Sequence, residues 1–114
     1  MIHFYDNFYA IIANKVYKVT DDGLTVTEKI TLPSSTGPCG IISCNSSVLG
    51  DYLFLCDGTV GWIVKSDHTV TQVTDVDFPT PHVPSPTFID GYVLVAKGSD
   101  VFNCDLDNPL SWQS

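Results

Sequence analysis

The chain has 114 residues, 44% of them apolar, with 13 aromatic side chains, which is one domain's worth of sequence with material for a core. Thirteen acids stand against five lysines, there is no arginine, and the net charge is −8. That balance excludes a sequence-independent grip on phosphates, which needs Lys and Arg, and the missing guanidinium removes the bidentate fork suited to carboxylate and phosphate.

The predicted elements are all strands. Ile2–Tyr5 is a short strand, Asp6-Asn7 a turn, and Phe8–Ala13 a strand buried on both faces. Asn14-Lys15 is read as a two-residue turn into Val16–Thr20. After Asp21-Asp22-Gly23, the segment 24–31 reads as an edge strand. Thr25, Thr27 and Lys29 lie on one face of it, and Leu24, Val26, Glu28 and Ile30 on the other. Residues 33–39 are a Pro-rich linker that cannot hold a ladder. Strands at 40–43, 52–56, 60–64 and 69–74 follow, with Asp57-Gly58 the strongest turn signal. Residues 76–85, carrying Pro79, Pro81 and Pro84, form an irregular loop. The last strands are 87–90, 92–96, 101–104 and 110–112. No helical period and no apolar run near 18 residues appear, so no membrane span is expected.

These strands fall into three units, 1–32, 40–75 and 86–114. Phe8, Tyr52 and Tyr92 are taken as equivalent starts, 44 and 40 residues apart. A strand repeat of about 40–45 residues is the mark of a propeller blade. The expected fold is all-β: a partial β-propeller of about three four-stranded antiparallel blades in one domain, 1–114. Three blades leave two faces uncovered, so association, including a homo-oligomer, is expected.

Candidate chemistry is sparse. Cys39, Cys44, Cys56 and Cys104 are expected to be reduced thiols, because Met1–Asp6 has no basic leader pattern. Cys39 and Cys44 with His68 and His82 lack the second tight pair of a zinc site. The pairs Asp75/Asp77 and Asp105/Asp107 lack a full calcium loop. Asp67-His68 resembles a base with its orienting acid but sits in a hairpin turn, and Asp90 beside Gly91 is a turn acid. No Gly-x-Ser-x-Gly or phosphate loop is present, and Asn45-Ser46-Ser47 is a turn. No catalytic, metal or cofactor residue is assigned, and the expectation is a non-enzyme without cofactors. One partner-binding candidate remains, Phe78, Pro79, Pro81 and His82. There a stiff extended frame presents an aromatic; the competing reading is that Phe78 tucks over a blade.

The runs Asp75–Pro79, Phe88–Tyr92 and Val101–Leu106, with Trp112, resemble the packaged-DNA stabilization protein of short-tailed bacteriophages, also called the tail accessory or tail hub protein. The shared pattern is an Asp-Phe-Pro loop, a hydrophobic-Asp-Gly-Tyr hairpin start, a Phe-x-x-Asp-Leu strand end and a nearby Trp. The resemblance implies a propeller-bearing virion component of the tail, assembled in the bacterial cytoplasm. Such a protein seals the portal or adaptor ring after packaging, retains the DNA without sequence-specific contact, and docks the tail needle and tailspikes. The alternative is a non-viral propeller-type binding module, a lectin or scaffold completed by self-association.

Overall fold

A computed structural model describes residues 2–23, 25–32 and 39–113. It contains twelve strands: β1 (Ile2–Phe4), β2 (Asn7–Ile12), β3 (Lys15–Thr20), β4 (Val26–Thr31), β5 (Gly40–Ser46), β6 (Gly50–Cys56), β7 (Gly61–Lys65), β8 (Val70–Gln72), β9 (Thr87–Ile89), β10 (Tyr92–Lys97), β11 (Asp100–Asp105) and β12 (Asn108–Trp112). They form three four-stranded antiparallel meanders, β1–β4, β5–β8 and β9–β12, with no helix among the described residues. The chain divides into two compact units, Met1–Gly37 with the first sheet and Pro38–Ser114 with the other two. Of the predicted linker 33–39, residues 33–38 lie outside the described residues.

Turn chemistry sets the hairpins, and in several places it shifts the predicted boundaries. Asp90 (φ 49°) and Gly91 (φ 87°) close a two-residue turn between Ile89 and Tyr92, the positive-φ pair that matches strand twist. In the first hairpin the turn is Tyr5-Asp6 rather than Asp6-Asn7, because Asn7 already pairs with Phe4. In the second it is Ala13-Asn14 rather than Asn14-Lys15. Lys15 pairs with Ile12, and Ala13 takes φ 55°. Left-handed backbone costs an L-residue about 1–2 kcal/mol, while glycine gives back part of that gain through a more flexible unfolded chain. Ala13→Gly is therefore expected to stabilise the first unit by roughly 0.5–1 kcal/mol, read as a higher melting temperature.

The face assignment of β4 is also corrected. A register shift lies between Val16 and Tyr17: Val16 pairs with Ile30, but Tyr17 pairs with Glu28. The extra residue, Lys29, is a bulge that sends Ile30 and Glu28 to opposite faces. Ile30 is buried with Val16. Glu28 emerges beside Tyr17 and meets Lys15 at 3.2 Å. Strict alternation had placed Glu28 and Ile30 together. At the other end of the chain, Pro109 lies inside β12, where an edge strand tolerates a missing donor.

On β2 Tyr9 is fully buried and Phe8 half-buried; Tyr52 is fully buried on β6, and Tyr92 opens β10. Antiparallel partners share a face, so each sheet has a tyrosine face and an opposite one. In the second sheet both are buried: Tyr52, Phe54 and Ile63 on the first, Leu53, Leu55, Trp62 and Val64 on the other. The tyrosine face of the second sheet packs in one core with Val93, Val95 and Cys104 of the third, flanked by Phe88 and Phe102. Each fully buried side chain of this size contributes about 1.5–3 kcal/mol.

Candidate functional site

The loop after β8 is built on Asp75. Its Oδ1 accepts the Asp77 amide at 2.9 Å, and its Oδ2 accepts the Trp112 amide at 2.9 Å. These bonds, that from Trp112 first, hold the carboxyl below its usual range. The end of the second sheet is thereby tied to the last strand of the third. Trp112 also donates its Nε1–H to the Pro109 carbonyl at 2.7 Å, which satisfies the buried indole.

The chain then turns inward. Phe78 is 7% exposed, edge-on to Trp112 (centroids 4.8 Å) and to His82 (5.1 Å), and near Phe54 (6.3 Å). The reading of an aromatic displayed on an extended frame is corrected: Phe78 tucks over the sheet. The cause is local. Gly61 opens β7, and a Cβ there would lie 2.9 Å from Phe78 Cζ and 3.2 Å from Phe54 Cζ, so the ring occupies the space a side chain would take. Pro79 is buried, Pro81 is exposed, and the Thr80–Pro81 peptide is cis. Of the four predicted residues, Phe78, Pro79 and His82 lie inside, and only Pro81 faces solvent.

His82, 8% exposed, works as a bracket. Its Nδ1 lies 2.9 Å from the Pro79 carbonyl, and its Nε2 is 3.0 Å from the Gly58 amide, which donates to it. Since Nε2 accepts, the ring is neutral with its proton on Nδ1. Burial pushes its pKa down, against smaller upward pulls from the Pro79 carbonyl and the Asp57 charge. The unfolded imidazole, at about 6.5, therefore binds protons that the folded one refuses. Stability from this group is complete above that value and drains away as pH falls toward the lowered folded pKa. The denaturation midpoint is expected to drop between pH 7.5 and 5.5, and His82→Gln to flatten that dependence.

The sequence marks Asp57-Gly58 as a turn signal with the return strand starting at Val60. The loop runs over four residues, 57–60, because Cys56 pairs with Gly61. Asp57 Oδ1 accepts the Thr59 and Val60 amides at 2.9 and 2.8 Å, while Oδ2 is buried without a hydrogen-bond partner. Beside this loop opens a cleft of about 490 Å³, with Asp77, Lys97 and Phe102 among the groups lining it.

All four cysteines are free. Burial pushes the Cys44 and Cys56 thiols up to about 12 and that of Cys39 to about 11, and raises that of Cys104. Such thiols are poor nucleophiles. Cys104 Sγ instead accepts the Val93 amide at 3.1 Å. Burial raises the pKa of the Tyr52 hydroxyl, and the Cys44 and Cys104 thiols push it the same way. His68 sits at φ 67° in its hairpin turn, and Asp67 spends Oδ1 on Thr69. Among the described residues no three His, Cys, Asp or Glu side chains converge on a point where a metal could sit.

Sequence reasoning did not identify the exposed sheet faces residue by residue. On the third sheet, the tyrosine face carries half-buried Tyr92, Leu94 and Ala96 beside Ile89 (56% exposed) and Val101 (64%). A hollow of about 310 Å³ between Ile89, Tyr92, Leu94 and Asn103 indents it. On the first sheet the open face is the one opposite Tyr9. It holds half-buried Phe8, Ala10, Tyr17 and Val19 with exposed Ile12 and Val26. The signal was available in the alternation, but only register says which side is covered.

Comparison with protein-family models, with curated proteins and with solved structures finds no match for this chain.

Proposed function

We propose that the chain is a structural assembly module, a three-blade part of a propeller that acts by protein–protein contact in a bacteriophage tail. In this reading it seals the portal or adaptor ring over packaged DNA and docks needle and tailspike proteins. The carrying observation is the pair of apolar sheet faces left open on the first and third sheets. Extended apolar surface on an ordered sheet is the usual sign of an interaction site. The polar groups that could do chemistry are spent on structure: Asp75 on Trp112, His82 on Gly58 and Pro79, Asp67 on its own turn. That pattern favours a non-enzymatic role. The acidic, arginine-free surface suits contact with proteins near DNA rather than a hold on its backbone. The runs that resemble the tail-hub family, including Asp75–Pro79, Asp90–Tyr92 and Trp112, are the ones that hold the second and third sheets together or shape their turns.

Native mass spectrometry of the purified chain with a portal–adaptor ring tests this. The expected result is a ring carrying bound copies; a ring that ignores the chain would overturn the tail assignment. The cleft beside Asp77, Lys97 and Phe102 favours a second reading, a binding module for a small polar ligand such as a glycan, for which glycan-array binding is the check.

A further inference from the structure

The cleft of about 490 Å³ is lined wholly by residues of Pro38–Ser114, from the loop after β8 to the end of β10. Some of its polar groups are spent on structure. Asp75 holds the Asp77 and Trp112 amides, and the Thr80 hydroxyl donates to the Thr59 carbonyl at 3.0 Å. Two others are not. The Asp77 carboxylate and the Lys97 ammonium are exposed, and neither has a side-chain partner among the described residues. They do not pair with each other, so both remain available to a ligand. Half-buried Phe102 supplies an apolar wall.

That set selects a ligand. An ammonium only donates hydrogen bonds and a carboxylate only accepts them, so the ligand must offer both kinds of partner. Charged ligands fit poorly. An anion would approach a unit with nine acids and two lysines, a net −7, and meet Asp75 and Asp77 in the cleft. A cation would leave Lys97 without an acceptor and set a like charge beside it. A zwitterion would pair with both groups, but ion pairs at exposed positions contribute little in water. A pyranose meets each requirement. Its hydroxyls donate and accept, and its C–H face packs on an aromatic ring. The volume falls in the roughly 300–1,000 Å³ range of small-molecule sites.

We infer that the cleft is a binding site for an uncharged saccharide unit. Lys97 donates to its oxygens, Asp77 accepts from its hydroxyls, and Phe102 carries its C–H face. The site is preformed. Asp75 and His82 pin the loop that bears Asp77, and Phe102 is fixed in the β10–β11 ladder opposite Val95. Little ordering is therefore lost on binding. This inference rests on reading the cleft as a small-ligand site, and it supplies the ligand class and the residues that select it.

The test presents the full chain with an array of uncharged glucosides, galactosides, mannosides and N-acetylglucosaminides beside sialylated, sulfated and amino-sugar ones. Calorimetric titration with the best-retained sugar then compares Asp77→Ala and Lys97→Met with wild type. Both positions are exposed, and Asp77→Asn and Lys97→Gln replace either variant that does not fold by circular dichroism. Lys65→Met, outside the cleft, is the control. The expected result is retention of uncharged sugars. Each cleft variant is expected to weaken the dissociation constant about tenfold, the loss of one hydrogen bond to a charged group, with the control unchanged. Retention of charged sugars alone would overturn the inference, as would binding that neither cleft variant weakens, and in both cases the chain would still be a small-ligand module. No retention of any sugar would overturn both, while leaving the tail assignment to the ring-binding experiment.

Discussion

Replacing Phe78 with alanine is expected to destabilise the second unit by about 3–5 kcal/mol, the range for an aromatic removed from a packed core. Phe78 stands at the junction of three elements: it covers Gly61 of β7, abuts Trp112 of β12 and leans on His82. Its loss leaves a cavity that the loop cannot close. Asp75 pins one end of the loop to the Trp112 amide, and His82 pins the other to Gly58. Chemical denaturation at neutral pH measures the effect. A loss under about 1 kcal/mol would mean that the ring is not the wedge between the second and third sheets, and would return it to the role of a displayed anchor.

Gly40→Ala is expected to cost about 3 kcal/mol or more, at the upper end of overpacking effects. A Cβ at position 40 would lie 2.5 Å from the Pro84 carbonyl oxygen and 2.5 Å from Pro86 Cδ. Neither neighbour is the free end of a flexible side chain. Backbone and ring would have to move, and with them the approach of the chain into β9. Gly40 pairs with Cys56 at the start of β5, so the displacement would reach the most buried strand of the second sheet. A thermal melt of the variant beside wild type gives the answer. If the two melt together, the Pro84–Pro86 segment does not press on β5 as described.

All twelve strands were legible in the sequence because each alternates or runs apolar between Gly, Asp or Pro turns, and the local signal is strong at 40-residue spacing. The faces were not. A single-residue bulge at Lys29 inverts the side of everything beyond it on β4, and nothing in the composition of Val26–Thr31 announces it. Phe8 and Tyr9 are adjacent aromatics, and only the fold shows that Tyr9 is the buried one. The Asp57 loop runs one residue past its predicted end because Asp57 caps the Thr59 and Val60 amides, an arrangement that competes with the tight turn its Asp-Gly sequence favours. The candidate loop failed for a related reason. Proline spacing reported stiffness correctly, but the direction of Phe78 is set by the missing side chain of Gly61, far away in sequence.

The claim on which the account rests is that the faces around Tyr17 and Tyr92 are covered by protein when the molecule does its work. Hydroxyl-radical footprinting of the assembled complex beside the dilute, isolated chain reads this side chain by side chain. The account predicts strong labelling of Tyr17, Val19, Tyr92 and Leu94 in isolation, loss of that labelling on assembly, and little labelling of Tyr52 and Phe54 in either state. Equal labelling of Tyr17 and Tyr92 before and after assembly would contradict it.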